Sequence, residues 1–375
     1  MRVAFRLTQP HQWTGGVNYI LNMCRVLRAH APEIAPVLFA PSDLGPALSA
    51  QVREAVGADA LPLGDRRRLD DAAAMVGISE QQSDKAFSES GIDLVFEATG
   101  FYGYRTRWPT VAWLPDFQHR RLPHLFTRQQ WLIREARYRI LLQNRKHVLL
   151  SSEDSRHDLE RFLGRTKAKV HVVPFAVRIE NRPTRADIEA VRAKYELPDQ
   201  FIFLPNQFWA HKNHGLVVEA LGLLGPNAPL IASSGLPKDH RNPGYVEGLQ
   251  SRLAELGVSN RLKFLGMLPY RDILTLNAAS TALINPSLCE GWSTTVEEAK
   301  ALGTPMLLSN LDVHQEQAGD HALYFPTDAP DACAQAIRAA VAAPPRQYSE
   351  YATDAAERAF ADKLVETFQA AVRTA

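Results

Sequence analysis

Three carboxylates, Glu290, Glu297 and Glu298, flank Trp292, Ser293, Thr294 and Thr295 in the stretch NPSLCEGWSTTVEEAKALGTP, residues 285–305. Hydroxyls and backbone amides donate to phosphate; carboxylates accept from hydroxyls. A site that offers both suits a sugar nucleotide. The elements around the stretch fit that use. TALINPSL reads as a strand broken by Pro286 and Gly291, and a helix follows from about Thr295 to Leu302, closed by Gly303 and Pro305. Glu290 falls in the loop at the strand end. The turn into the helix leaves amide donors free and presents a positive dipole end, both favourable to phosphate. Thr294 and Glu297 match a capping box, which gives Glu297 a structural job. Glu298 stands about 100° further round the helix. By spacing alone, Glu290 and Glu298 are either ligand acceptors or ordinary solvated acids.

The remaining sequence supplies elements that could hold such a site. A chain of 375 residues exceeds one ordinary core and suits two domains. With 46% hydrophobic and 22% charged residues it has a globular composition, and a net charge of +1 gives no general field for nucleic acid. Cys24, Cys289 and Cys333 are far apart and odd in number, so neither a disulfide framework nor a metal spacing follows, and a reducing cytoplasm is the expected home. The start, MRVAFRLTQPHQW, turns polar too soon for a signal peptide, and no apolar run reaches the ~18 residues of a membrane span.

Short runs rich in Val, Ile, Leu and Phe alternate with amphipathic stretches: RVAFRL, APVLFAP, DLVFEA, TVAWLP, HVLLSS and VHVVPFAV, then FIFLPNQ, PLIASS, RLKFLGM, TALINPS, PMLLSN and ALYFP. That alternation predicts α/β architecture with parallel sheets and crossover helices. The series restarts near residue 180, after the polar segment RIENRPTRADIEAVRAKYELPDQ. The expected layout is one Rossmann-like domain at 1–178 and a second at 179–354, facing each other across a cleft. Ligands would sit beyond the carboxyl ends of the strands. Ala359, Phe360, Leu364, Phe368 and Val372 recur at helical spacing, so a final helix over 355–375 is expected to cross back to the first domain.

From Pro286 to Pro305 the chain resembles the signature of family-four glycosyltransferases of the GT-B fold, the group 1 type. That signature has two glutamates eight positions apart, a Gly-aromatic turn, an alanine-rich helix and a Gly-Thr-Pro-like end; here Glu290, Gly291, Trp292, Glu298, Ala299, Gly303, Thr304 and Pro305 fill it. The resemblance implies that Glu290 accepts from donor-sugar hydroxyls, that Glu298 holds the nucleotide ribose, and that the Ser293, Thr294 and Thr295 amides bind diphosphate. FIFLPNQFWAHKNHGLVVEAL is similar to the opening of the family's second domain, with Lys212 in place of the diphosphate-binding lysine. A cation there stabilises a leaving diphosphate. Many relatives carry an arginine five residues earlier, where this chain has Gln207; either Lys212 carries the charge alone or another arginine contributes.

Thr14, Gly15, Gly16 and Val17, ahead of a helix read from Tyr19 to Arg28, look like the family's glycine-rich loop after its first strand, where glycine lets the backbone approach the donor. In TVAWLPDFQHRRLPHLF, Pro115 stands at the family's donor-facing histidine, so Asp116, His119 or both are expected to line the cleft; the alternative for Asp116 is a cap on the following turn. Leu265 to Leu268 occupy a strand whose backbone contacts the base in relatives, which adds Met267 to the donor set.

The resemblance implies a metal-independent retaining hexosyltransferase. It would use a GDP- or UDP-linked sugar as donor substrate, need no separate cofactor, and act on a glycan or lipid-linked acceptor in cell-surface polysaccharide or lipopolysaccharide synthesis. Alternatives are a GT-B sugar-nucleotide epimerase or phosphorylase, and a non-catalytic sugar-nucleotide-binding subunit. Residues 119–147 hold seven arginines and one lysine against Glu135, interleaved with Leu122, Leu125, Phe126, Trp131, Leu132 and Ile133. Such a face suits peripheral contact with an anionic membrane from the cytoplasmic side; the alternative is a solvated helix whose arginines serve the fold.

Overall fold

A computed structural model describes residues 1–7, 10–64, 81–98, 101–104, 106–239, 241–344 and 353–374. Seven strands form the first sheet: β1 (Arg2–Arg6), β2 (Ala35–Ala40), β3 (Leu61–Pro62), β4 (Leu94–Glu97), β5 (Thr110–Trp113), β6 (His147–Leu150) and β7 (Lys169–Val172). Six form the second: β8 (Phe201–Leu204), β9 (Leu230–Ser233), β10 (Leu262–Phe264), β11 (Ala282–Asn285), β12 (Met306–Ser309) and β13 (Ala322–Phe325). Every neighbouring pair is parallel. Central strands such as FIFL and ALIN are buried along their whole length, because helices cover both faces of a parallel sheet. Two Rossmann-like sheets are therefore present, with strand orders β3-β2-β1-β4-β5-β6-β7 and β10-β9-β8-β11-β12-β13.

The chain forms two compact units. One comprises Met1–Phe117, Gln129–Arg178 and Thr353–Ala375; the other comprises Gln118–Arg128 and Ile179–Ala352. The terminal helix spans Thr353–Arg373, and its Phe360, Leu364 and Phe368 are buried in the first unit, where Phe368 meets Phe5 and Phe96 edge-on. Ala375 lies outside the described residues.

Four local expectations need correction. Gly15 and Gly16 do not precede a helix; they lie inside the helix Pro10–His30, whose buried Ile20, Leu21, Cys24 and Leu27 anchor it and let it start earlier than Tyr19. Residues 265–268 follow β10 instead of belonging to it, since Gly266 turns the chain with φ +73°. The segment 118–128 packs with the second unit, because Gln118 and Phe126 engage Arg241 there. Finally, Thr294 is not a cap: the helix Thr294–Leu302 starts one residue earlier than a Thr294 cap requires, with Ser293 at the cap position and no side-chain cap bond. Its closure by Gly303, at φ +64°, is as the sequence reads.

Candidate active site

In the second sheet the strand order runs outward in both directions from β8 and β11. Loops leaving their carboxyl ends depart to opposite sides and open a crevice, the usual ligand position in such sheets. The loop after β8 carries Lys212 and the loop after β11 carries Glu290. Backbone and amide bonds hold the two loops together. Asn206 Nδ2 donates to Asn285 Oδ1 at 2.9 Å, and the Leu288 amide donates to the His211 carbonyl at 2.8 Å. Asn213, in the left-handed region at φ +55°, ends the turn Ala210–Lys212 and donates its side-chain amide to the Pro286 and Thr327 carbonyls at 3.2 and 2.9 Å. The result is an ion pair: Lys212 Nζ lies 2.6 Å from Glu290 Oε1, with the Ser287 hydroxyl 2.7 Å from the same oxygen.

Burial works to raise the Glu290 pKa, but Lys212 beside it, with the nearby His314 and His211 rings, outweighs burial and holds it at about 2. Glu290 is thus a carboxylate at any physiological pH, an acceptor for hydroxyls. His211 is pushed well down, first by burial and then by Lys212, so it faces this charge pair as a neutral ring.

The helix start is partly occupied. The Ser293 amide donates to Gln317 Oε1 at 3.1 Å, and the Ser293 hydroxyl takes a 3.0 Å bond from Asn285 Nδ2. Ser293 is therefore a structural joint, not the phosphate donor expected of it. The amides of Thr294 and Thr295, first in the helix, have no carbonyl a turn earlier to bond and remain suited to an anion. Glu297 is buried in a bridge to Lys300 at 2.9 Å, accepts from Gln317 Nε2 at 2.9 Å and takes the Trp292 indole N–H. Trp292 thereby braces the fold of the turn. Glu298 is also buried; burial raises its pKa to about 7, against the lowering effect of a bond from the Tyr270 hydroxyl.

Gln207 spends its Oε1 on the Leu236 amide at 3.0 Å, while its Nε2 faces exposed Met267 Sδ at 3.6 Å. Gly235, at φ +117°, lets these loops meet: a Cβ there would sit 3.0 Å from the Asn206 carbonyl oxygen and from Gln207 Cα. In the first unit Asp116 accepts from Arg134 Nη2 at 2.6 Å, an ion pair. His119 is fully buried in the short helix Gln118–Arg121 of the second unit. Asp116 and His119 thus fall in different units, and Gly15 and Gly16 stay in their helix. The residues that sequence missed, Asn206, Asn285, Ser287, His211, Gln317 and Tyr270, reach the site from strand ends, loops and helices. No local spacing signals them. Among the described residues no group of three or more His, Cys, Asp and Glu side chains is placed to hold a metal ion.

Residues 185–359, most of the second unit, match the family model described as glycosyl transferases, group 1. In this region the chain is similar to the group 1 glycosyltransferases. The O-antigen chain mannosyltransferase RfbU of Salmonella typhimurium is 24% identical over 183 residues, covering 49% of this chain and 47% of that protein, so the chain spans about half the length of this curated relative. A glycosyltransferase from Rickettsia africae is similar over 100% of this chain and 98% of its own, at TM-score 0.72 and 16% identity. Anabaena HepE in complex with UDP and glucose is similar over 100% and 98%, at TM-score 0.68 and 17% identity. These structural likenesses establish the fold, that of GT-B glycosyltransferases. The group 1 match includes Lys212, Glu290 and Glu298, the residues on which the sequence resemblance rests.

Proposed function

We propose that this chain is a retaining glycosyltransferase that moves a hexose from a nucleoside-diphosphate sugar to a glycan or lipid-linked acceptor. The observation that carries this reading is the Lys212–Glu290 pair at 2.6 Å, at the carboxyl ends of the two central strands and beside a helix start with open amides. Glu290, held ionised, accepts from hydroxyls of the donor sugar and fixes the ring. Lys212 and the Thr294 and Thr295 amides take the diphosphate. Glu298 accepts from the ribose hydroxyls. As the bond between C1 and the phosphate oxygen breaks, charge grows on the diphosphate, where preorganised donors stabilise it without reorganising. The acceptor oxygen bonds C1 on the same face, and its proton passes to the departing phosphate oxygen, so the anomeric configuration is kept and no metal is required. The donor is GDP- or UDP-linked: RfbU is a mannosyltransferase, and HepE was solved with UDP and glucose. The O-antigen relative supports a role in polysaccharide or lipopolysaccharide synthesis.

Purified protein incubated with UDP- and GDP-hexoses, with and without membrane glycolipid extract and with EDTA throughout, tests this. Acceptor-dependent consumption of one donor, giving a product of the donor's own anomeric configuration, is expected. Consumption without acceptor marks an epimerase, phosphorylase or hydrolase. Binding without turnover marks a donor-binding subunit.

A lipid-linked acceptor calls for access to a membrane. No helix among the described residues is long and apolar enough to cross one. The basic stretch is narrower than its sequence suggests, since Arg134 pairs with Asp116 and Arg145 is buried against Glu97. What the helix Arg128–Asn144 does expose is Leu132 at 51% and Ile133 at 56%. Peripheral contact from the cytoplasmic side through these side chains and the neighbouring arginines gives salt-sensitive sedimentation with anionic vesicles, reduced in Leu132→Ser/Ile133→Ser. Equal sedimentation with neutral vesicles counts against it.

A further inference from the structure

On the glycosyltransferase reading, the leaving group is a diphosphate, and one lysine already paired with Glu290 faces it. Gln207, five residues before Lys212, is uncharged and committed to the Leu236 amide at 3.0 Å. Another guanidinium lies next to the Lys212 turn. Arg241 Nη2 is 3.4 Å from His211 Nδ1, and its Nη1 donates to Gln118 Oε1 at 3.2 Å. Its position is built, not incidental. The buried Asp239 carboxylate accepts from the Ala210 amide at 2.9 Å and from the Arg241 amide at 2.8 Å, linking Arg241 to the Ala210–Lys212 turn. The rings of Phe126 and Trp209 flank the guanidinium, with its carbon 5.4 and 5.5 Å from their centroids, and aromatic faces hold an arginine fork in plane. Arg241 nevertheless remains exposed, as a ligand-facing cation must. After burial, His211 responds to Lys212, Glu290 and Arg241, so these charges share one neighbourhood.

We propose that Arg241 is a second cation on the donor diphosphate, beside Lys212. Arginine suits this place, because its planar fork can take two phosphate oxygens at once. The Asp239 carboxylate ties the Arg241 backbone to the turn that carries Lys212.

Calorimetric titration of UDP, GDP, uridine and guanosine into the wild type, Arg241→Gln and Arg241→Lys tests the assignment, with melting temperatures recorded for each protein. The wild type should bind one diphosphate. Arg241→Gln should bind it about 10- to 100-fold more weakly, as for loss of a charge-assisted bond, with affinity for the matching nucleoside unchanged. Arg241→Lys should recover part of the loss and rule out a folding defect. Wild-type diphosphate affinity in Arg241→Gln would overturn the proposal while leaving the donor reading intact. Equal losses for diphosphate and nucleoside would also overturn it, by making Arg241 a loop support. A wild type that binds neither diphosphate overturns the donor reading and this proposal together.

Discussion

Each unit contains a buried ion pair, and the two are finished differently. In the first unit Arg145 meets Glu97 through two bonds at 2.5 and 2.7 Å, with side-chain exposures of 3% and 0%. The remaining valences are met by the protein itself: Glu97 Oε1 accepts from the Tyr102 amide at 2.9 Å, Arg145 donates to the Gly103 carbonyl at 3.0 Å, and the guanidinium lies 4.3 Å from the Phe101 ring centroid. In the second unit Lys212 and Glu290 share one bond, with exposures of 16% and 10%, beside a helix start whose first amides are open. A closed pair fixes a fold, whereas a pair with unmet valences facing solvent is arranged for a ligand. Both cations are basic residues in polar stretches of the sequence, and only their surroundings separate the two roles.

The widest separation between the pairs should appear in stability. Arg145→Met leaves the Glu97 carboxylate buried without its partner, a loss of about 3–5 kcal/mol. Urea denaturation should show it as a lower midpoint, with little change in donor affinity for whatever protein remains folded. Lys212→Ala should do the reverse, lowering turnover at saturating donor about 100-fold for want of charge on the leaving group, with a smaller loss of stability than Arg145→Met because this pair is less completely buried. If Arg145→Met proves as mild as Lys212→Ala in urea, the distinction between closed and open pairs fails.

The same contrast explains how much could be read from sequence. Twelve apolar runs correspond to twelve of the thirteen strands, because burial on both faces demands unbroken Val, Ile, Leu and Phe. The two-residue β3, Leu61–Pro62, is too short to leave a pattern. Within the site, Glu290, Lys212 and the Thr294–Thr295 turn were legible because one loop or motif carries each. Arg145 reads only as one charge of a basic stretch because its partner is Glu97, 48 residues away, and periodicity does not report such partners. Gln317 binds Ser293 from 24 residues away, so the loss of the Ser293 amide as a phosphate donor was equally invisible. Asn285 reads simply as a strand end, although it is a buried polar joint of the site.

Titration can separate the two glutamates of the motif. Burial raises Glu298 to about 7 from an ordinary 4.5. A raised folded pKa gives stability that is complete below about pH 4.5 and is lost as pH climbs through about 7, roughly 3 kcal/mol in all. Glu290 is depressed to about 2, so its contribution is complete above about pH 4.5 and is lost as pH falls towards 2. Glu298→Gln should therefore be more stable than wild type at pH 8 and similar at pH 4. Glu290→Gln should flatten the acid limb alone. Urea midpoints from pH 3 to 8 check both, and matching profiles for the two variants would show that their surroundings do not differ as described.

The smallest effect sharpens the comparison at two helix starts. At Arg185–Lys194 the Thr184 hydroxyl accepts from the Asp187 amide at 3.2 Å, and Asp187 returns a bond to the Thr184 amide at 2.8 Å, a complete capping box. At Thr294–Leu302 the corresponding sequence, Thr294 with Glu297, forms none, because Gln317 and Lys300 claim Glu297 and the helix begins at Thr294 itself. The first start is closed by its own side chains, and the second is left for an anion. Thr184→Ala should cost about 1 kcal/mol, as loss of a cap does, with no effect on nucleotide binding. Thr294→Ala should change stability by less than about 0.5 kcal/mol, while weakening diphosphate binding a few-fold through the lost hydroxyl. Urea melts paired with UDP and GDP titrations of the two variants decide it. A Thr294→Ala protein destabilised as much as Thr184→Ala would mean that Thr294 caps its helix after all, and that this start is closed in solution.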